Sequence, residues 1–350
     1  MPVITEHLSI AARGIRVFLN LEAGITRVAE GSGLQGQQRQ AAQSGKSAQG
    51  RPQPAGGQVS RSSAKDVGGV VNPENIIWIF GSGRSGSTWL SSMMGDISGQ
   101  TLWGEPWVGT LFGNFYYEQG EGRRNNPQFI LGSHKESWIG SIRTFVLNAA
   151  AATFPNLNKD DYLVIKEPNG SVGAPLLMEA FPESRMILLV RDPRDVVASS
   201  LDARSEGGWN FERNKDRRQR DGKQPPKKGS VSFAEGRARR YLRGMGNAKM
   251  AHDAHDGPKT LVRYEELRAD TLGTMRRIYS TLGVTVNEEE LARVVEEHSW
   301  ENIPQEEKGD GKFYRKASPG SWREDLTPEQ ADMVEKVTAP LLKELYPEKA

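Results

Sequence analysis

The stretch IFGSGRSGSTWL, residues 79–90, decides how this chain folds. It begins at the end of the short apolar run IIWIF. Its glycines are typical of a turn that joins a strand to a helix and surrounds an anion with backbone N–H groups. Three of its residues satisfy the nucleotide-binding pattern G-x-x-x-x-G-x-T, namely Gly81, Gly86 and Thr88. The stretch therefore predicts an anion-binding loop at the end of a strand.

The basic residue of this loop stands in an unusual position. ATP-binding loops carry a lysine directly before the threonine, whereas here that position holds Ser87 and the basic side chain is that of Arg84. Magnesium–ATP chemistry also needs a carboxylate at the end of another strand. Asp192 follows an apolar run, but Arg191, which would repel a magnesium ion, comes first. The loop thus favours a phosphate-type anion over magnesium–ATP.

Apolar runs of strand length alternate with longer helical patterns from Asn72 onward. These runs are IIWIF, YLVIK, RMILLV and TLVRY. Such alternation predicts an α/β fold with a central parallel sheet, flanking helices and a P-loop-like nucleotide-binding site, over residues 72–347. Ligands of open parallel sheets bind beyond the carboxyl ends of the strands, which is where the glycine-rich loop lies.

Two other parts of the chain differ in composition from this domain. Residues 31–71 are mostly Gln, Gly, Ser, Ala and Pro, which predicts a disordered linker, and residues 1–30 predict a helical segment that docks on the domain or on a partner. Residues 204–231 predict a basic lid or insertion. The wider segment 204–243 holds 13 Lys and Arg against 5 Asp and Glu.

Composition excludes several functional classes. The absence of cysteine removes thiolate catalysis, disulfides and cysteine-ligated metals. A net charge of +2 gives no reason to expect a nucleic-acid partner. No apolar run is long enough for a transmembrane segment and no signal peptide is evident, so we expect a cytoplasmic protein. His252 and His255 are interpreted as a polar surface pair without a third ligand, and no metal site is expected.

The segment RSGSTW resembles the 5′-phosphosulfate loop of the sulfotransferases, enzymes that use 3′-phosphoadenosine 5′-phosphosulfate (PAPS). Glycan and tyrosylprotein members often begin this loop with arginine, whereas cytosolic members use lysine. The resemblance implies donor binding by Arg84, Ser85, Gly86, Ser87, Thr88 and Trp89.

Three further segments match the same family in order. VRDPRDVVASS resembles its 3′-phosphate segment, LVRYEEL its strand that ends in a tyrosine near the adenine, and RKASPGSW its C-terminal loop over the 3′-phosphate. The resemblance therefore implies that the donor is also held by Arg191, Ser199, Tyr264, Arg315 and Lys316. Ala317 departs from the usual glycine of that loop, which puts the backbone there in doubt if that glycine needs a positive φ.

The residues themselves agree with such a donor, because phosphates at its 3′ and 5′ ends need two separate anion sites. Arginine suits phosphate because its planar fork donates two parallel hydrogen bonds. A sulfuryl group carries less negative charge than a phosphoryl group, so its transfer needs cations on the leaving oxygen but no obligatory metal ion.

Transfer to a hydroxyl also needs a base and a cation near the transferred group. In LWGEPW, Glu105 lies where similar glycan sulfotransferases place a catalytic glutamate, and Lys166 resembles the lysine beside the sulfuryl group. The catalytic residues implied are Glu105, Lys166 and Arg84. Glu167 is a rival base, since no histidine follows VIK as in phenol and steroid members.

The sequence thus predicts sulfuryl transfer from PAPS to a hydroxyl acceptor, with 3′-phosphoadenosine 5′-phosphate (PAP) as the product. The carboxylate base and the basic segment favour a sugar or glycan acceptor, with an anionic glycan as one option. Two alternatives remain: a P-loop kinase of a small metabolite and a catalytically dead nucleotide-binding module.

Overall fold

The computed structural model of the chain describes residues 71–347, apart from residues 121 and 223. The expected N-terminal helical segment, residues 1–30, lies outside the described residues, and so does the expected linker, residues 31–71, except for Val71. Val71 is buried in the core of the domain.

A five-stranded parallel sheet forms the centre of the domain. Its strands are β1 (Ile76–Gly81), β2 (Gln100–Gly104), β3 (Tyr162–Lys166), β4 (Arg185–Val190) and β5 (Lys259–Arg263). They lie in the order β2-β3-β1-β4-β5. The predicted α/β fold with a parallel sheet is confirmed. Four of the five strands were visible as apolar runs, but β2 was not, because it is an edge strand in which only Gln100 is buried.

Helices cover both faces of the sheet. In chain order they are α1 (Ser87–Gly95), α2 (Val108–Asn114), α3 (Lys135–Thr153), α4 (Ala174–Ala180), α5 (Pro193–Arg204), α6 (Trp209–Arg213), α7 (Lys215–Arg220), α8 (Val231–Ala254), α9 (Tyr264–Ala269), α10 (Thr271–Leu282), α11 (Glu288–Glu297), α12 (Trp322–Asp325) and α13 (Pro328–Leu345). Single turns of 3₁₀-helix lie at Pro73–Asn75, Ser171–Gly173 and Gln305–Glu307, and a π-helix at Phe115–Gln119. The segment predicted as a basic insertion contains α6 and α7.

Strand β1 is buried along its whole length. Its successive side chains point to opposite faces of the sheet, and helices cover both faces. Trp78 and Phe80 pack in the core formed with α3, α4, α8 and α13. Ile77 and Ile79 pack in the core formed with α1, α9, α10 and α11. Burial of each such side chain stabilises the fold by about 1.5–3 kcal/mol. The carboxyl end of β1 is therefore held in place from both sides.

The histidine pair differs from its sequence interpretation. His255 is buried, and its Nε2 lies 2.8 Å from the carbonyl oxygen of Ser184. Burial lowers the pKa of His255. The interpretation as a surface pair is wrong for His255, because the chain turns inward after α8 to enter β5.

Within the described residues 71–347, no helix is both long enough and apolar enough to cross a membrane.

The connections of the sheet create the crevice in which the glycine-rich loop lies. From β1 the chain continues towards one edge of the sheet, and from β4 towards the other, so a crevice opens beyond their carboxyl ends. Gly86 has a φ of 90° at the start of α1. A Cβ atom there would lie 2.5 Å from a ring carbon of Tyr264, so only glycine fits.

Ser171 joins the ends of β1 and β3. Its Oγ accepts a hydrogen bond from the Gly81 N–H at 3.0 Å and donates one to the Gly81 carbonyl at 2.6 Å. The hydroxyl is buried, so water cannot replace it. It fixes the start of the glycine-rich loop against the segment that follows β3.

We expect Ser171→Ala to lower the free energy of unfolding by about 1–3 kcal/mol, because the buried Gly81 N–H would lose its acceptor. Urea unfolding measures this difference. Ser141→Ala, on the exposed side of α3, is the matched control and should change stability by less than about 0.5 kcal/mol. Equal stabilities of the two variants would show that the Ser171 bridge contributes nothing.

Candidate active site

A cavity of about 1170 Å³ opens beyond the carboxyl ends of the strands. Twelve Lys and Arg residues line it, against two carboxylates, those of Glu105 and Asp221. It collects all but one of the site residues expected from the sequence: Arg84, Gly86, Ser87, Thr88, Trp89, Glu105, Lys166, Arg191, Ser199, Tyr264, Arg315 and Lys316. The exception, Ser85, is fully buried behind the loop. This excess of positive charge is suited to an anionic ligand.

Arg84 links the two regions expected to bind the ends of the donor. Its Nε donates to Ser199 Oγ at 3.0 Å and its Nη2 to the Phe313 carbonyl at 2.8 Å. Its guanidinium lies over the rings of Trp209 and Phe313, 5.5 and 5.0 Å from their centroids. Burial, together with the charges of Arg191 and Arg315, lowers the pKa of Arg84 to about 10. A bound anion would relieve this repulsion.

Arg191 supports the loop from the end of β4. Its Nη1 donates to the Arg84 carbonyl at 3.0 Å, and its guanidinium lies 4.3 Å from the centroid of the Tyr264 ring. The Arg191 Nε is buried and has no hydrogen-bond partner among the residues that the structure describes. An anion at this position would supply the missing acceptor, which is worth more for a charged donor than for a neutral one.

The two cations of the C-terminal segment are held by acidic neighbours. Arg315 Nη1 lies 2.5 Å from Asp325 Oδ2, and Lys316 Nζ lies 3.0 Å from Asp325 Oδ1 and 3.1 Å from Glu324 Oε2. Ala317 has a φ of 48°. It thus adopts the left-handed conformation that glycine favours, although it carries a Cβ atom.

Asp195 fixes this segment from α5. Its carboxylate is fully buried and accepts hydrogen bonds from the Gly320 N–H at 2.8 Å and from the Trp322 N–H at 3.1 Å. Sequence reasoning did not find this residue, although it lies in the VRDPRD motif. The signal was an acidic side chain in an otherwise basic anion-binding segment, which is unexpected unless it binds backbone N–H groups.

Glu105, Lys166 and Thr88 meet in the same cavity. Lys166 Nζ lies 2.9 Å from Glu105 Oε1 and donates to Thr88 Oγ1 at 3.1 Å. Asn169, another residue that the sequence did not reveal, donates to Glu105 Oε2 at 2.8 Å. The register of β2 and β3 explains this meeting, since it pairs Gly104, which precedes Glu105, with Lys166.

Glu167, the rival base, has a different environment from Glu105. Its side chain is 1% exposed and does not line the cavity, and its Oε1 accepts a hydrogen bond from the Val108 N–H at 3.1 Å. Burial raises the pKa of Glu167 to about 7. A Cβ atom at Gly170 would lie 1.8 Å from its Oε2, so no space is left beside it for an acceptor.

Comparison with protein families gives one match. A family model described as the sulfotransferase family matches residues 76–288, more than half of the chain. The match begins with β1 and includes the glycine-rich loop, Arg191, Ser199 and Tyr264, and it ends before the segment of Arg315 and Lys316. No curated protein matches the chain in sequence.

Several solved structures resemble the domain. Mouse sulfotransferase SULT7A1 complexed with PAP is 15% identical, with 78% of this chain and 87% of that chain covered and a TM-score of 0.49. Sulfotransferase STF9 from Mycobacterium avium is also 15% identical, with 78% and 77% covered and a TM-score of 0.49. A sulfotransferase from Alicyclobacillus acidocaldarius is 14% identical, with 77% and 94% covered and a TM-score of 0.42.

The buried Glu167 predicts a pH dependence of stability. The unfolded chain ionises this carboxyl near its ordinary pKa of 4.5, whereas the folded chain keeps the proton up to a pH of about 7. The contribution of Glu167 to the free energy of unfolding is therefore largest below pH 4.5, and it is lost as the pH rises to 7. At about 1.4 kcal/mol per pKa unit, the rise of the pKa from 4.5 to about 7 corresponds to a loss of ~3–4 kcal/mol.

We expect Glu167→Gln to remove this loss, because the amide keeps the shape of the carboxyl and does not ionise. Urea unfolding of the wild type and the variant at intervals between pH 4.5 and 8 measures it. The difference in unfolding free energy should grow in favour of the variant up to pH 7 and then stay constant. Parallel profiles would show that the Glu167 pKa is not raised.

Proposed function

Since the chain belongs to the sulfotransferase family, which transfers the sulfuryl group of PAPS, we propose that its acceptor is a hydroxyl group of a sugar or glycan. The observation that carries this proposal is the contact of Lys166 with both Glu105 and Thr88 in a cavity lined by cations. It joins a base for the acceptor, a cation and the anion-binding loop in one place.

Two groups of residues fit the two phosphate-bearing ends of the donor. The loop from Arg84 to Trp89 presents backbone N–H groups at the start of α1, where anions are favoured. The second group is Arg191, Ser199, Arg315 and Lys316. The buried, unpartnered Nε of Arg191 supports an anion at this second position. Tyr264, between Arg191 and Trp89, offers an aromatic face for the adenine.

We assign the role of general base to Glu105. Its carboxylate accepts the proton of the acceptor hydroxyl as the acceptor oxygen bonds to sulfur and the bond from sulfur to the phosphate oxygen breaks. Lys166 and Arg84 stabilise the negative charge that is left on the phosphate of PAP. Asn169 holds the carboxylate in its orientation. Glu167 is unsuited to this role because its carboxyl is buried and bound to the backbone.

The choice of a sugar hydroxyl rests on the base and on the charge of the cavity. A carboxylate base next to an arginine-containing loop resembles the glycan members of the family more than the phenol members. The cationic lining favours a polar or anionic acceptor.

The two alternatives fit the site less well. A kinase would need a free carboxylate at the end of β4, but Asp192 caps α5 through the Arg194 N–H and forms an ion pair with Arg194 at 2.8 Å. A dead nucleotide-binding module would not need the Lys166–Glu105 pair beside the loop. Labelled donor offered to a panel of sugars, phenols and tyrosine peptides distinguishes an enzyme from such a module.

We expect Arg191→Ala to weaken PAP binding by about 1.5–3 kcal/mol, the usual range for hydrogen bonds to a charged group. Calorimetric titration of the purified protein with PAP measures this loss. Arg293→Ala removes an exposed arginine from α11, outside the cavity, and should leave the affinity unchanged. Equal affinities of the Arg191 variant and the wild type would place the 3′-phosphate elsewhere.

We expect Glu105→Gln to reduce turnover about 10²–10⁴-fold, because the amide keeps the shape of the carboxylate but cannot accept the proton. Initial rates with labelled PAPS measure this, and PAP affinity should barely change. Glu136→Gln, an exposed substitution at the start of α3, is the control. If the Glu105 variant kept its turnover and Glu167→Gln lost it, Glu167 would be the base.

A further inference from the structure

A second group of arginines lines the same cavity without belonging to either donor site. It consists of Arg204 at the end of α5, Arg218 on α7, and Arg237 and Arg240 on α8. We call these four residues the arginine cluster. Arg237 and Arg240 are three positions apart on α8, so they share one face of that helix.

Like charges in this cluster lie close enough to act on each other. Burial and the charges of Arg204 and Arg240 lower the pKa of Arg237 to about 9. Burial and the charges of Arg240 and Arg218 lower the pKa of Arg204. The cluster is therefore a concentration of positive charge that the fold tolerates at a cost.

No carboxylate in the part of the chain that the structure describes forms an ion pair with Arg204, Arg237 or Arg240 within 4.0 Å. Among the described residues, Arg237 donates a hydrogen bond only to the hydroxyl of Ser200, at 3.5 Å. Its Nε, like that of Arg218, is buried without a hydrogen-bond partner among the described residues. Buried charged donors without acceptors are costly unless a ligand supplies the acceptor.

Other arginines of α8 are paired, which shows that the lack of partners is confined to the cavity side. Arg239 forms an ion pair with Glu235 at 2.8 Å, and Arg243 forms one with Glu118. Counting partners within residues 71–347, the helix thus carries ion-paired arginines outside the cavity and arginines without an ion pair inside it. A helix that merely exposed basic residues to water would not show this difference.

We propose that the arginine cluster is a subsite for an anionic substituent of the acceptor, namely a sulfate, phosphate or carboxylate group already present on the sugar. This inference rests on the proposed function, because the same cavity contains the base and the cluster. Each arginine can bind an oxyanion through two parallel hydrogen bonds, which suits these groups. The enzyme would then act on a glycan that is charged before sulfuryl transfer.

The donor is the other possible source of an anion here. Arg237 contacts Ser200, which follows Ser199 of the expected 3′-phosphate site. The two phosphate-bearing ends of the donor already have separate groups of residues, however, and Arg191, rather than the cluster, holds the loop. We therefore assign the cluster to the acceptor and test the donor directly.

The experiment uses the full chain saturated with PAP, so that the donor sites are filled. Calorimetry compares a sulfated dextran oligosaccharide with the unsulfated oligosaccharide of the same length. We expect the wild type to bind the sulfated probe at least tenfold more tightly. Arg237→Gln and Arg240→Gln should each lose about tenfold or more of that affinity. Arg239→Gln removes the same charge from α8 outside the cavity and should behave as the wild type.

PAP titrations and thermal unfolding of the same variants complete the test. Both cluster variants should bind PAP as the wild type does and should be at least as stable, because each removes a like charge. Unchanged affinity of the cluster variants for the sulfated probe would overturn the subsite. A loss of PAP affinity comparable to that of Arg191→Ala would show that the cluster binds the donor. That result would also overturn the acceptor subsite.

A labelled-donor assay with the same two oligosaccharides and a panel of neutral and carboxylated sugars separates this inference from the proposed function. Transfer to sugars that is insensitive to Arg237→Gln and to the charge of the acceptor would overturn the subsite alone. Absence of transfer to any sugar, with cluster-dependent binding of the sulfated probe intact, would overturn the sugar acceptor and support the anion subsite.

Discussion

Complete burial of β1 between two helical layers is the constraint on which the site depends. Because both faces of the strand are packed, its carboxyl end cannot move, and the glycine-rich loop starts from a fixed point. The register of the neighbouring strands then fixes the positions of other site residues. Register places Lys166 beside Ile79 on one side and beside Gly104 on the other, so the lysine stands level with the loop and with Glu105.

Electrostatic repulsion among the cations of the cavity is the second constraint, and it affects two groups of these cations differently. The expected 3′-phosphate cations Arg315 and Lys316 are paired with acids of α12, so this part of the cavity is partly neutralised without a ligand. Arg84 and Arg237 form no ion pair with an acidic residue of the described part of the chain, and their pKa values are lowered by burial and by neighbouring arginines. This contrast separates the cavity cations that are paired with acidic residues from those whose charge is not offset by an ion pair within residues 71–347.

Two glutamates show how environment separates the candidate bases. Glu105 and Glu167 each follow a strand of the sheet directly, and each precedes a proline in the sequence. Glu105 follows the edge strand β2 and faces the cavity, where Lys166 and Asn169 hold it. Glu167 follows the inner strand β3, so it is covered and binds backbone N–H groups. Proximity to a strand end thus predicts that a residue is near a site, whereas position within the sheet decides whether it faces the ligand.

The sequence by itself determined the fold class, four of the five strands and the family, because these strands are continuous apolar runs and an anion-binding loop requires glycines at set intervals. Nearly all of the site residues that it named line the cavity, since these residues lie at strand ends or in family motifs. Only the tertiary structure decided the strand order, the edge strand β2, the burial of Glu167 and of His255, and the anchoring of the C-terminal segment by Asp195. It also decided that, within residues 71–347, three members of the arginine cluster have no acidic partner. These features depend on contacts between residues far apart in the chain, such as Arg84 with Ser199 and Asp195 with Trp322. Local patterns specify which residues are buried or charged, but the partner of each is selected by the packing of the sheet and its helices.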